Sequence, residues 1–172
     1  MGININIYNA MLFHFAWLLC VIGGDTVAIV TSFIVLAIHL RYVSGNLREL
    51  TLLLQVMLLG LVVDSLFIIA GVLTGAELLF LPPLWLIALW LVFATTLNHC
   101  LRWFQQHLPL AVLVGAVAGP LSYWAGTRMS DFALGSPTVR SVIIVSLVWA
   151  LIFPLCLMLA KRYEKKQVSA EA

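Results

Sequence analysis

The chain has 172 residues, 63% of them hydrophobic and 9% charged, with a formal net charge of +2. Soluble domains carry roughly 25% charged residues, and a mean hydropathy of +1.11 places this chain in lipid instead. The same numbers leave no basis for nucleic-acid binding, because the nine Lys and Arg residues are few and scattered.

Apolar runs broken by polar or Gly/Pro punctuation predict an all-α, polytopic membrane protein. It is a single domain over residues 1–172 with six transmembrane helices in one bundle, at 8–23, 26–43, 51–74, 82–104, 109–127 and 139–161. Residues 11–22 could pass for a signal-peptide core. No basic residue precedes them, and apolar sequence resumes directly after Gly23-Gly24-Asp25, so they read as a retained first span. The first two spans are joined only by Gly24 and Asp25 and must form a tight antiparallel hairpin. Pro82, Pro83 and Pro109 stand at helix starts, where a missing amide donor costs least. Pro120 and Pro154 fall inside spans five and six and free backbone carbonyls there.

With the N-terminus in the cytoplasm, Arg41, Arg48, Arg102, Lys161, Arg162, Lys165 and Lys166 lie inside, and only Arg128 and Arg140 lie outside. Both termini are therefore expected to be cytoplasmic. Tyr8, Tyr42, Trp103 and Tyr163 mark the inner interface, and Trp85 and Trp124 the outer one.

Small residues mark the faces that pack in lipid. Span five carries Ala111, Gly115, Gly119, Ser122 and Gly126 on one stripe, and span three places Gly60, Asp64, Gly71 and Gly75 on one broad face. Asp64 lies near the middle of an apolar run, where a charge costs about 2.5 to 3.5 kcal/mol on insertion scales. It must face the protein interior. Helical rise sorts the polar residues into two groups. Asp25, Asp64, Ser122, Tyr123 and Arg128 form a candidate outer pocket, and His39, Asn98, His99 and Arg102 a candidate inner polar cluster. His14 could face either group.

Each group has a plain reading beside its functional one. Asp64 is a titrating or ligand-contacting carboxylate, or a packed acid bonded to a neighbour. Asp25 follows two glycines, where an aspartate commonly caps the next helix. Arg128 balances an acid, binds an anion or snorkels to the interface. Arg102 grips an anionic headgroup or anchors topology, while Asn98 and His99 bond neighbouring helices or, for His99, titrate. Cys20, Cys100 and Cys156 are far apart and read as small apolar side chains. No H-E-x-x-H, G-x-S-x-G, G-K-[ST] phosphate loop or C-x-x-C-H is present. The four histidines are scattered, so no metal site and no cofactor are expected; a haem between His39 and His99 is specified by no spacing. The two halves of the chain share no matching Gly, Pro or acidic positions, which argues against an inverted-repeat carrier.

Four segments carry a resemblance: Gly23-Gly24-Asp25; Leu59 through Ser65; Pro83-Leu84-Trp85 leading to Phe93 through His99; and Gly119 through Gly126. On these the chain resembles the DUF2878 family of uncharacterised bacterial integral membrane proteins. The resemblance implies no activity. It implies a neighbourhood, since members tend to be encoded beside cyclopropane-fatty-acid-synthase-like enzymes in bacterial envelope-stress gene clusters. The leading expectation is thus a bacterial inner-membrane accessory that binds, presents or modifies a membrane lipid or fatty-acyl group, with a membrane or lipid-modifying protein as partner. A substrate-capturing transporter subunit is the first alternative, for which Ala16, Cys20 and Gly24 would form a docking stripe. A purely structural or assembly protein is the second.

Overall fold

The computed structural model describes residues 4–44, 49–75 and 80–171, with side chains through residue 163. Arg48 and the side chains of Lys165 and Lys166, used above for orientation, lie outside that set. Five α-helices dominate: α1 (Ile5–Ile38), α2 (Glu49–Ile69), α3 (Leu84–Ala94), α4 (Leu108–Thr127) and α5 (Thr138–Glu171). A short antiparallel ribbon, β1 (Leu73–Gly75) with β2 (Phe132–Leu134), interrupts the all-α plan. Large apolar side chains such as Phe15, Phe33, Leu113 and Leu151 stand exposed on the outside, as they do in a protein solvated by lipid. Among the described residues, four stretches are long and apolar enough to cross a membrane: Ile5–Ser44, Glu49–Ile69, Leu108–Thr127 and Thr138–Tyr163. This is an α-helical membrane protein.

The six expected spans reduce to four by length and composition, for two reasons. The first is Gly24, whose φ of 66° and ψ of −168° break α1 internally. Thirty residues of straight helix would hold Asn9 and His39 about 45 Å apart. Yet the Asn9 side-chain amide donates to Thr95 O at 3.1 Å, and the His39 ring lies 4.9 Å from that of His99. Ala16 and Val35 likewise meet around Val92. α1 is therefore two antiparallel arms hinged at Gly24, as its turn residues led one to expect.

The second reason is the early end of α3. Span four was expected over 82–104, but the α-helix stops at Ala94. The hydroxyls of Thr95 and Thr96 bond back to Val92 O and Phe93 O at 2.7 and 2.6 Å, and the amides of 95, 96 and 97 take i→i−3 partners. Threonines that bond locally compete with the α-helical ladder, and a turn followed by a 3-10 helix (Arg102–Gln106) completes the segment. The loosened backbone exposes polar groups. Asn9 takes up Thr95 O and accepts from Cys100 N–H at 3.3 Å, and Gln105 Nε2 donates to Leu97 O at 3.1 Å.

The other end of the molecule is closed by α2 and the ribbon. Gly71, at φ 67°, ends α2 with Gly71 N–H on Ile68 O and Val72 N–H on Phe67 O, the paired bonds of a Schellman cap. Gly135 N–H then donates to Val72 O at 2.9 Å. A Cβ on Gly135 would fall 1.8 Å from Gly71 O, so only glycine lets the two connections touch.

The small-residue stripes serve large partners within the chain. Ala111, Gly115 and Gly119 are buried, and a Cβ at Gly119 would stand 2.2 Å from Trp149 Cγ. Ala16 and Cys20 are fully covered by the chain's own residues, so the docking stripe foreseen on span one is not free for a partner. Trp85 is buried against Phe132 and does not mark an interface, whereas Trp124, Tyr8, Tyr42 and Trp103 are exposed.

A Gly24→Ala protein tests the hinge. No atom lies within 4 Å of the added Cβ, so its effect comes from the backbone alone, whose positive φ with extended ψ only glycine adopts freely, at a cost of about 1–3 kcal/mol for other residues. A lowered melting temperature in detergent is expected, and Gly126→Ala, in helical backbone with equal space, serves as the unaffected control.

Candidate functional site

Among the described residues, two buried polar centres and an aromatic cavity organise the interior. Asp64, fully buried in α2, accepts from the Trp90 indole N–H at Oδ2, 2.7 Å away, and from the Tyr123 hydroxyl at Oδ1. One carboxylate thus joins α2, α3 and α4. Gly60, one turn before Asp64, makes this approach feasible, because a Cβ there would lie 2.0 Å from the Trp90 ring. Trp149 of α5 stacks on Trp90 at 5.1 Å and 18°. The two indoles are held between the glycine faces of α2 and α4, and all four helices meet in one layer.

The expected outer pocket is divided by this arrangement. Only Ser122 and Tyr123 of its five residues line the cavity that exists there. Asp64 sits behind Trp90 and Tyr123. Asp25 caps a helix, but not its own: Oδ1 accepts from Trp85 N–H at 3.0 Å, in the first turn of α3, because the hairpin carries Asp25 to that helix start. Arg128 balances neither acid in the contacts described; its guanidinium stands 5.4 Å from the Trp124 ring centre. His14 joins neither group, being exposed with Nδ1 on Ala10 O at 2.8 Å.

The cavity has a volume of about 80 Å³ and is half-open. Trp17, Trp85, Trp90, Phe93 and Trp149 supply aromatic walls, and Ser122, Tyr123 and Thr127 the hydroxyls. Trp17 N–H donates to Ser122 Oγ at 3.2 Å, linking the first arm of α1 to α4 beside it. Aromatic walls with a few placed hydroxyls suit an apolar ligand that carries a small polar end.

The inner cluster does assemble, around a residue that sequence reasoning had left in a loop. Glu49, the first residue of α2, is 3% exposed. Its Oε2 lies 3.1 Å from His39 Nε2, its Oε1 lies 3.3 Å from His99 Nε2, and Asn98 Nδ2 donates to Oε1 at 3.4 Å. Gln105 Nε2 holds Asn98 Oδ1 at 2.9 Å. Arg102 is exposed at the start of the 3-10 helix. Glu49 carried a usable signal: it is an acid directly before an apolar run, at the expected start of a span.

A model of the family described as a protein of unknown function (DUF2878) matches residues 6–155. The chain belongs to this family. No curated protein and no solved structure matches it. The matched region contains every residue of the Asp64 layer, the cavity and the Glu49 cluster, so the whole interior described above is the family's domain and not an appendage to it.

Deleting the Tyr123 hydroxyl tests the weight of the Asp64 centre. Tyr123→Phe leaves Oδ1 of a buried carboxylate without its donor, a loss of about 1–3 kcal/mol. Thermal unfolding in detergent should show a clear drop, whereas Thr127→Ala, which removes only a local bond to Trp124 O, should change little.

Proposed function

We propose that this protein binds the apolar part of a membrane lipid, a fatty-acyl chain above all, and presents it as an accessory to lipid modification in the bacterial inner membrane. The aromatic cavity carries the reading. Its walls come from α1, α3, α4 and α5, so a ligand lodged there touches most of the bundle. Ser122, whose own proton is uncommitted, offers its hydroxyl to the ester or carboxyl end, while the rings accept the few methylene groups beside it that about 80 Å³ can hold.

The reading includes six crossings with both termini in the cytoplasm. The two arms of α1 count separately, and α3 crosses together with the turn and 3-10 helix that follow it. Arg41, Arg102, Lys161 and Arg162 then belong to the cytoplasmic side, where positive charge accumulates. Reporter fusions after Tyr163 and in the connection near Arg128 check this: the first should be active as a cytoplasmic and the second as a periplasmic fusion.

Gly126 offers a selective test of lipid binding. It lines the cavity, and nothing lies within 4 Å of an added Cβ. Gly126→Leu should therefore fill the space without breaking the helix. Protein purified gently and analysed by native mass spectrometry should carry a fatty acid or phospholipid in wild type and lose it in Gly126→Leu. Equal lipid loads in both, with both proteins folded, would count against the proposal.

A further inference from the structure

We infer that His39, Glu49 and His99 bind one divalent transition-metal ion. One ligand atom from each residue lies within 4.8 Å of the others. Glu49 Oε2 lies 3.1 Å from His39 Nε2 and 3.4 Å from His99 Nε2, close to the edge of a tetrahedron, about 3.4 Å for metal–ligand bonds near 2.1 Å. Those two pairs need shifts of only a few tenths of an ångström to seat an ion, and the two imidazole nitrogens, within 4.8 Å of each other, close in on it from either side. The imidazole rings meet at 83° with centres 4.9 Å apart, so both can aim Nε2 at one point without stacking.

Two further observations point the same way. His39 opens a π-helical turn, His39–Ser44, at the end of the second arm of α1. Such turns are rare and concentrate at functional sites; this one delivers a fully buried histidine to the cluster. The carboxylate is also oriented from behind. Asn98 donates to Oε1 and is itself held by Gln105, whose Nε2 also reaches Leu97 O. An outer layer that fixes a ligand's direction is characteristic of metal centres.

The donor set decides the class of ion. Two imidazoles and one carboxylate suit zinc, iron and related divalent ions better than calcium or magnesium, which favour oxygen alone. Three protein ligands leave a position open for water or for an oxygen of a bound molecule, the arrangement of reactive rather than closed structural zinc sites. This centre lies with His39 and His99 at one end of the helices, among residues that do not line the aromatic cavity. It stands independently of the lipid reading.

The test uses the full chain, purified in detergent with an affinity tag free of histidine, stripped with chelator and reloaded with ZnCl2 or CoCl2. Elemental analysis should find about one zinc per chain. Cobalt should give visible d–d absorption at the same stoichiometry. His99→Gln, at the least buried ligand, should abolish the cobalt spectrum while circular dichroism stays helical. Asn98→Ala should weaken cobalt binding about tenfold or more, since it removes only the orienting contact. Helical wild-type protein that takes up no stoichiometric metal would overturn the assignment, as would His99→Gln protein that binds cobalt as tightly as wild type. The cluster would then be a buried acid–histidine network.

Discussion

The bundle depends on the Asp64 carboxylate and its two donors. Lipid does not drive helices together by the hydrophobic effect, so association must come from close packing and from hydrogen bonds between helices. Asp64 supplies both at one depth. Its oxygens take the Trp90 indole and the Tyr123 hydroxyl, and Gly60 beside it admits the Trp90 ring against the α2 backbone. Trp149 stacks on that ring and lies in turn on Gly115 and Gly119. An acid that would be costly in hydrocarbon thus becomes the point at which four helices are registered.

That layer also explains why a cavity survives nearby. Trp90, Tyr123 and Trp149 are committed to each other, so their free faces and edges form rigid walls. The first arm of α1 approaches this side through Trp17 and Ser122, and α1 as a whole packs mainly against α3.

The two ends of the molecule are held by different chemistry. Near Gly71 and Gly135, backbone meets backbone through a helix cap and a two-stranded ribbon. Near Glu49, side chains do the work: Asn9 repairs the loosened backbone after α3, and His39, Asn98 and His99 converge on one carboxylate. Thr95 and Thr96 are responsible for that contrast. By ending α3 early they free the backbone groups and loop geometry that let His99 and Asn98 turn toward Glu49.

Local composition by itself determined much of this protein. The membrane class follows from hydropathy, the hinge of α1 from Gly24, and the packing stripe of α4 from glycines at four-residue spacing, because each is a property of neighbouring residues along one helix. The inward direction of Asp64 was equally legible, since no other environment tolerates it. Its partners were not, and the five outer polar residues that share a depth proved to have separate tasks. Depth is one coordinate, whereas the rotation of each helix about its axis and its choice of neighbours depend on how Trp90, Trp149 and the glycines fit in three dimensions. The same limit hid Glu49. It meets His39 where the end of the second arm of α1 lies beside the start of α2, and only the early end of α3, a consequence of threonine hydroxyls competing for backbone carbonyls, brings His99 to meet them both.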